Sequence, residues 1–379
     1  MQGIKYIAPF NDHSGYGEAS RNYILALHAA GVPLTLSPHC FEPNPPPVGT
    51  PAEQDIFRSL LNKKIDFDTV IVHLTPDLTP LYTRQYCDKR LINYTVWETS
   101  LLHPDWVKAL NNVHEVWVPS QWNVESFKAS GVTTQVHKIH HGIDPDLFTG
   151  VSPGGFEISG LDKERTFVFY SIMQWNARKN PEGLLRAYYN AFTPEDDVRL
   201  VLKAYIGRGL TPVEEVNHIK RMVSHVKQDM QLPYYPKVNL ITESMSSSQL
   251  RSLQLYGDAY ISLPYGEGFG LTFLEAGLAG KPVISTGAGG QLEYLTEDNS
   301  FLVPYMWEYV GGMGSFNNWY WGNQQWARPS TVEAAKAMRY VYDNREEAAV
   351  RAQKLQARIK NEFSWDRVAK QMLDRLKEL

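Results

Sequence analysis

Cysteine is scarce in this chain. Cys40 and Cys87 are the only two among 379 residues, too few for a disulfide framework or a cysteine-based zinc site, so both read as ordinary packed thiols. No run of 18 apolar residues occurs, which leaves no candidate for a membrane-spanning helix. The opening MQGIKYIAPF lacks a basic segment followed by a long apolar one, so no secretory signal is expected and a cytoplasmic protein is; peripheral contact with a membrane stays open. Basic charge is not in excess either. Lys and Arg number 37 against 41 Asp and Glu, a net charge of −4, and residues 1–150 carry the whole deficit with 11 basic and 15 acidic residues. Nothing in that balance supplies the electrostatic footprint of a nucleic-acid-binding domain.

What is present points to an α/β protein of two domains, because 379 residues with 43% apolar content exceed the size at which one hydrophobic core keeps growing. Ile4 to Pro9 reads as a strand, Asn11 to Gly17 as a loop, and Glu18 to Ala30 as a helix ending at Gly31. Gly15-x-Gly17 resembles part of a dinucleotide fingerprint, but Ser20 stands at the third glycine and His39 follows the next strand, Pro33 to Ser37, where an acid belongs. After the proline-rich stretch Pro43 to Pro51 come strands at Thr69 to Leu74, Leu91 to Trp97 and Glu115 to Pro119, the last leading to Ser120 as the cap of a helix through Ala129. Glu98 follows the second of these strands, where open α/β sheets bind ligands; capping its own loop is the alternative. His137, His140 and His141 have the i, i+3, i+4 spacing that would share one metal only on a helix, whereas the β conformation expected there sends neighbours to opposite faces, and Asp66-x-Asp68 and Asp144-x-Asp146 are short matches, so no metal is expected.

The stretch Leu263 to Tyr294, LPYGEGFGLTFLEAGLAGKPVISTGAGGQLEY, carries the most chemistry. Strand Ala259 to Leu263 leads through Gly266-Glu267-Gly268-Phe269-Gly270 into a helix-compatible run from Leu271 to Ala279. The leading N–H groups of such a helix lack intrahelical partners and favour negative charge, so Gly268 to Thr272 can cradle a diphosphate, with glycine permitting close approach. Glu275, about two turns in, is placed for ribose hydroxyls, and Glu267 for a transferred group. A tight turn with two solvated acids is the plainer reading of the same residues. Upstream, a strand from Thr166 to Met173 delivers Arg178-Lys179-Asn180-Pro181; two cations there can neutralise a phosphate leaving group or simply form a solvated helix entry. A further strand, Val198 to Tyr205, carries Lys203. Strand Val238 to Thr242 precedes Ser244 and Met245, and a serine cap accounts for that region equally well. Tyr305 to Trp326 is aromatic and glycine-rich, suited to carbohydrate, to a partner chain or to packing on its own domain. Ser330 to Leu379 has helical spacing, interrupted near Phe363-Ser364-Trp365.

The two glutamates, Glu267 and Glu275, with the glycines around them, the Arg178-Lys179-Asn180-Pro181 segment and the run Val136 to Phe148 with its G-x-D-x-x-x-F pattern together resemble retaining nucleotide-sugar glycosyltransferases of the family-4 type. The resemblance is strongest from Ile261 to Leu295 and loosest before residue 90. It implies a GT-B fold, two Rossmann-like doubly wound domains facing across a cleft, with an acceptor-side domain at 1–148 plus a terminal helix near 365–379, and a donor domain at 149–364. It further implies a GDP- or UDP-linked hexose donor, no additional cofactor, a carbohydrate or lipid-linked glycan acceptor rather than nucleic acid, and front-face transfer without a covalent intermediate. Glu267, Arg178 and Lys179 would be catalytic, and Gly15, Gly17, Gly268, Phe269, Gly270, Leu271, Thr272, Glu275, Ser244 and Met245 would line the donor. Many relatives carry a histidine near Trp97 or Glu98 and an arginine where Gln174 stands; here either Glu98 takes the histidine's place or that role is absent, and Arg178 would take over the arginine's duty. A nucleotide-sugar epimerase, a phosphorylase and a non-catalytic carbohydrate-binding relative are the other readings.

Overall fold

The computed structural model describes residues 2–12, 14–39, 48–206, 210–313 and 318–378. Cys40, residues 43–47 of the proline-rich stretch and residues 314–317 of the aromatic stretch therefore lie outside the described residues. The chain falls into two units, Met1–Asp144 with Glu362–Leu379, and Pro145–Asn361.

The first unit alternates strand and helix: β1 (Ile4–Ala8), α1 (Gly15–Ala29), β2 (Leu34–Pro38), α2 (Pro51–Leu60), β3 (Thr69–His73), α3 (Thr79–Gln85), β4 (Arg90–Tyr94), α4 (Pro104–Leu110), β5 (Glu115–Val118), α5 (Gln121–Ala129) and β6 (Val136–Lys138). All six strands are parallel in the order β2-β1-β3-β4-β5-β6, with Ile4 opposite both Leu34 and Thr69. β3 and β5 are buried throughout, as strands covered on both faces must be. Two expectations need correcting. α1 starts at Gly15 rather than Glu18, because Ser14 accepts a hydrogen bond from the Gly17 N–H and caps the helix three residues earlier. β4 ends at Tyr94, leaving Trp97 and Glu98 in the loop that follows.

The second unit repeats the plan: β7 (Phe167–Gln174), α6 (Pro181–Ala191), β8 (Val198–Tyr205), α7 (Pro212–Met230), β9 (Val238–Ile241), α8 (Ser247–Tyr256), β10 (Ala259–Ser262), α9 (Leu271–Leu278), β11 (Val283–Thr286), β12 (Phe301–Val303), β13 (Tyr305–Tyr309), β14 (Gln325–Pro329), α10 (Thr331–Asp343) and α11 (Arg345–Glu362). The sheet order is β12-β11-β10-β7-β8-β9. The chain builds β7, β8 and β9 in one direction, then returns to the other side of β7 with β10. A topological switch point therefore lies at the carboxyl ends of β7 and β10, where open α/β sheets place ligands. The aromatic stretch, unassigned by sequence, contributes an antiparallel pair, β13 with β14, in which Tyr305 faces Pro329 and Tyr309 faces Gln325. A break at Asn344 divides the helical C-terminal region once more than its spacing indicated.

Each unit has its own core. α12 (Trp365–Lys377) inserts Val368, Met372 and Leu376 among Ile4, Tyr23, Ile71 and Ile92 of the first unit. At the same end, Trp365 lies 5.1 Å from the Tyr23 ring, and a β-carbon at Gly142 would stand 2.7 Å from the Trp365 ring. A polar aromatic cluster is buried there. The Tyr6 hydroxyl lies 2.9 Å from His73 Nδ1, and that of Tyr23 lies 3.0 Å from His141 Nδ1 and 2.5 Å from the Tyr94 hydroxyl. Burial first, and mutual repulsion between His73 and His141 second, pushes the His73 imidazole well below its usual range; burial, then His140, lowers His141 to about 3.

Candidate active site

The carboxyl ends of β7 and β10 are joined by a few directional bonds. Beyond β7, Asn176 accepts from the Lys179 N–H at 3.1 Å and closes a single turn over Ala177–Lys179. Asn180 then adopts a left-handed conformation, φ 51°, with Pro181 opening α6 behind it. Its amide does two jobs: Oδ1 accepts from the Gly183 N–H at 3.0 Å, and Nδ2 donates to the Leu263 carbonyl at 2.9 Å. That second bond ties β7's exit to β10's. Asn180 was named in the sequence only as part of the Arg178–Pro181 segment and given no role, though an asparagine before a proline at a helix start is a recognisable cap. The Tyr265 N–H donates to the Arg178 carbonyl at 2.7 Å, and Arg178 Nη1 donates to the Gly266 carbonyl at 2.8 Å.

This scaffold brings Arg178, Lys179 and Glu267 together. Lys179 Nζ donates to Glu267 Oε2 at 2.5 Å, and Arg178 Nη1 stands 3.6 Å from the same oxygen. All three side chains are at most one-fifth exposed. Burial by itself would raise the Glu267 carboxyl, but the charges of Lys179 and then Arg178, with the Lys179 hydrogen bond, outweigh it and hold the group below its ordinary value of 4.5. The site thus carries a carboxylate favoured in its ionised form, with two cations beside one of its oxygens.

Behind Glu267 the loop is fixed by glycine and tyrosine. Gly270 caps α9 at φ 84°, a region that favours glycine, with no side chain covering the helix start. The Tyr294 hydroxyl donates to the Phe269 and Gly270 carbonyls at 2.9 and 2.5 Å. The Gly290 N–H donates to the Glu267 carbonyl at 2.6 Å, and a β-carbon at Gly290 would stand 1.8 Å from the Gly268 carbonyl oxygen. Thr272 Oγ1 accepts from the Tyr260 hydroxyl at 2.8 Å. Glu275, half-buried on α9, receives a 2.7 Å hydrogen bond from Gln254 on α8, a partner that only the packed fold reveals. Leu271 opens α9 half-buried. Ser244 is exposed and Met245 half-buried in the loop after β9, and Ser246, beside them, caps α8.

The other expected residues belong to the first unit. Gly15 and Gly17 form the first turn of α1. A β-carbon at Gly17 would meet the Asp12 carbonyl at 2.1 Å, so local packing alone demands that glycine, whereas one at Gly15 meets nothing within 4 Å. Glu98 is half-buried beyond β4, close enough to raise the Tyr16 hydroxyl by its charge, after burial. Tyr16 in turn accepts from the Val96 N–H at 3.2 Å. Among the described residues no group of three or more His, Cys, Asp and Glu is placed to hold a metal ion, and no helix is long and apolar enough to cross a membrane.

Two doubly wound units of six parallel strands each, with this site at the second unit's switch point, define the GT-B class of glycosyltransferases. Residues 156–308 match the family described as glycosyl transferases group 1, a span that includes Arg178, Lys179, Glu267 and Glu275, and the chain is a glycosyltransferase. Among solved structures it is similar to Anabaena HepE in complex with UDP and glucose, at 15% identity over 100% of both chains with a TM-score of 0.70. It is similar to sucrose-phosphate synthase from Thermosynechococcus elongatus, at 17% identity over 100% of this chain and 99% of that one, TM-score 0.71. A glycosyltransferase from Rickettsia africae aligns at 16% identity over 100% and 98% of the two chains, TM-score 0.64. At such identities the likeness shows the fold. No curated protein matches the sequence.

Proposed function

We propose that this chain is a retaining, metal-independent glycosyltransferase of the family-4 type, moving a hexose of glucose or mannose type from UDP to a hydroxyl of a carbohydrate or lipid-linked glycan during polysaccharide synthesis. The observation that carries the reading is the meeting of Glu267, Lys179 and Arg178 beside the start of α9, where Gly270 is the cap and supplies no side-chain hydrogen bond. UDP is preferred to GDP because the similar HepE structure holds UDP and glucose.

In this reaction the bond between the sugar's anomeric carbon and the β-phosphate oxygen breaks, and its electron pair passes to the phosphate. Lys179 and Arg178 stabilise that growing charge, which is where fixed cations contribute most. The α9 N–H groups share the load, and Glu275, oriented by Gln254, holds the ribose. The acceptor hydroxyl attacks from the face the phosphate leaves and gives its proton to a phosphate oxygen. Glu267 orients sugar hydroxyls as an acceptor of hydrogen bonds, consistent with a carboxyl held ionised. Gly15, Gly17 and Glu98 are retained as candidates on the acceptor-side domain.

The test is thermal stabilisation by UDP- and GDP-sugars and free nucleotides, wild type beside Glu275→Ala. A ligand at a hundred times its Kd adds about 2.7 kcal/mol to the native state. A uridine-selective shift that shrinks in the variant is expected; no shift with any nucleotide would sink the reading. NMR of the product should show the donor's anomeric configuration preserved, and inversion would overturn the front-face mechanism.

A further inference from the structure

β13 places Tyr305, Trp307 and Tyr309 at alternate positions of one strand, hence on one face, about 6.8 Å apart. All five residues of the strand are exposed, Trp307 at 45% and Tyr309 at 66%. Its partner β14 is buried at Trp326, Ala327 and Pro329, so β13 is the outer strand. The pair is bonded into the site already described. The Ala327 N–H donates to the Tyr265 carbonyl at 2.7 Å, and the Tyr265 N–H to the Arg178 carbonyl at 2.7 Å. Trp326 packs on the Tyr265 ring at 4.9 Å between centroids. At the start of the row, a β-carbon at Gly287 would lie 3.9 Å from the Tyr305 ring, and the glycine loop beginning there ends in the Gly290 bond to Glu267.

We infer that Tyr305, Trp307 and Tyr309 form a stacking subsite for an extended carbohydrate acceptor, adjoining the Glu267 pocket. The ligand class rests on the glycosyl-transfer reading above. The chemistry of the face selects it as well. A pyranose presents apolar C–H faces rimmed by hydroxyls, and this face offers flat rings spaced on the scale of one sugar unit. The Gln325 amide stands opposite Tyr309 on the same face, and no Leu, Ile or Val interrupts the row, as an aliphatic protein interface would require. Tyr305 and Trp307 are set edge to face, 5.3 Å apart at 83°, which offers a curved chain two differently inclined platforms.

Maltohexaose, cellohexaose and mannohexaose, titrated separately by calorimetry without nucleotide, test the subsite independently of the donor. At least one should bind the wild type, about tenfold more weakly after Trp307→Ala or Tyr309→Ala and about a hundredfold after both. Trp307→Tyr should restore most of the affinity, and UDP should stabilise every variant as it does the wild type, showing the fold intact. Failure of all three hexaoses to bind, equal binding by the double variant, or a self-association lost in the double variant would overturn the inference. A wild type that binds a hexaose and ignores UDP would sink the donor reading alone and leave the subsite standing.

Discussion

Glu267 is held ionised by two cations, and that same pairing occupies the cations a diphosphate needs. Glu267→Gln should therefore bind UDP at least as tightly as the wild type by calorimetry while turnover falls by about a hundredfold or more, since the sugar hydroxyls exchange an ionised acceptor for a neutral amide oxygen. UDP affinity and turnover falling together would contradict this division of labour. Lys179→Ala should do the opposite, weakening UDP and leaving Glu267 with only Arg178, 3.6 Å away, at a cost of roughly 3 kcal/mol or less because that second cation remains; chemical denaturation measures it. Glu267, Arg178 and Lys179 were each named from loop and spacing alone. Their contact was not, because it depends on β10 returning beside β7, and no local pattern records that adjacency. The roles of Asn180 and Gln254 were missed for the same reason, since each acts on a residue far along the chain.

At the level of elements, glycine decides how closely the two loops of the site approach. Gly290→Ala puts a methyl 1.8 Å from the Gly268 carbonyl, so the Gly287–Gly290 turn or the Glu267 loop must shift. A loss of about 1–3 kcal/mol in stability and a weaker UDP response are expected, whereas Gly15→Ala, with open space around it, should leave stability unchanged. Equal effects at the two glycines would refute the packing argument. β8 was legible to the residue, since six of its eight residues are buried and apolar side chains dominate it despite Arg199 and Lys203. Ends were less so. The start of α1 was misplaced because a loop reading of its two glycines hid the serine cap, and the β13–β14 pair escaped because flat aromatic residues with glycine carry no single periodicity.

Over the whole molecule, the two units respond to acid in different ranges. His73 and His141 are buried neutral beside Tyr6, Tyr23 and Tyr94, both held below the ordinary 6.5. The unfolded chain binds protons there that the native first unit refuses, so its stability is complete above pH 6.5 and falls as pH drops from 6.5 towards about 3, by up to about 1.4 kcal/mol per pH unit for each histidine. Glu267 in the second unit has the depressed carboxylate's behaviour, its contribution present above 4.5 and lost below. Melting followed between pH 7.5 and 4.5 should show the first unit weakening alone, with a flatter slope after His141→Gln; simultaneous weakening of both would refute the assignment. Fold class and the doubling of the domain were legible in length, glycine loops and buried strands, while the histidine cluster, drawn from β3 and the segment after β6, was not. The place of α12 has a consequence for biosynthesis. Its Val368, Met372 and Leu376 complete the core of the first unit, yet a ribosome makes them only after all of Pro145–Asn361. The domain begun first is finished second, so the nascent chain carries an open apolar seam through most of translation. Protease challenge of stalled nascent chains should find Pro145–Asn361 resistant before Met1–Asp144, and chaperones that bind exposed apolar surface should hold the earlier segment the longer.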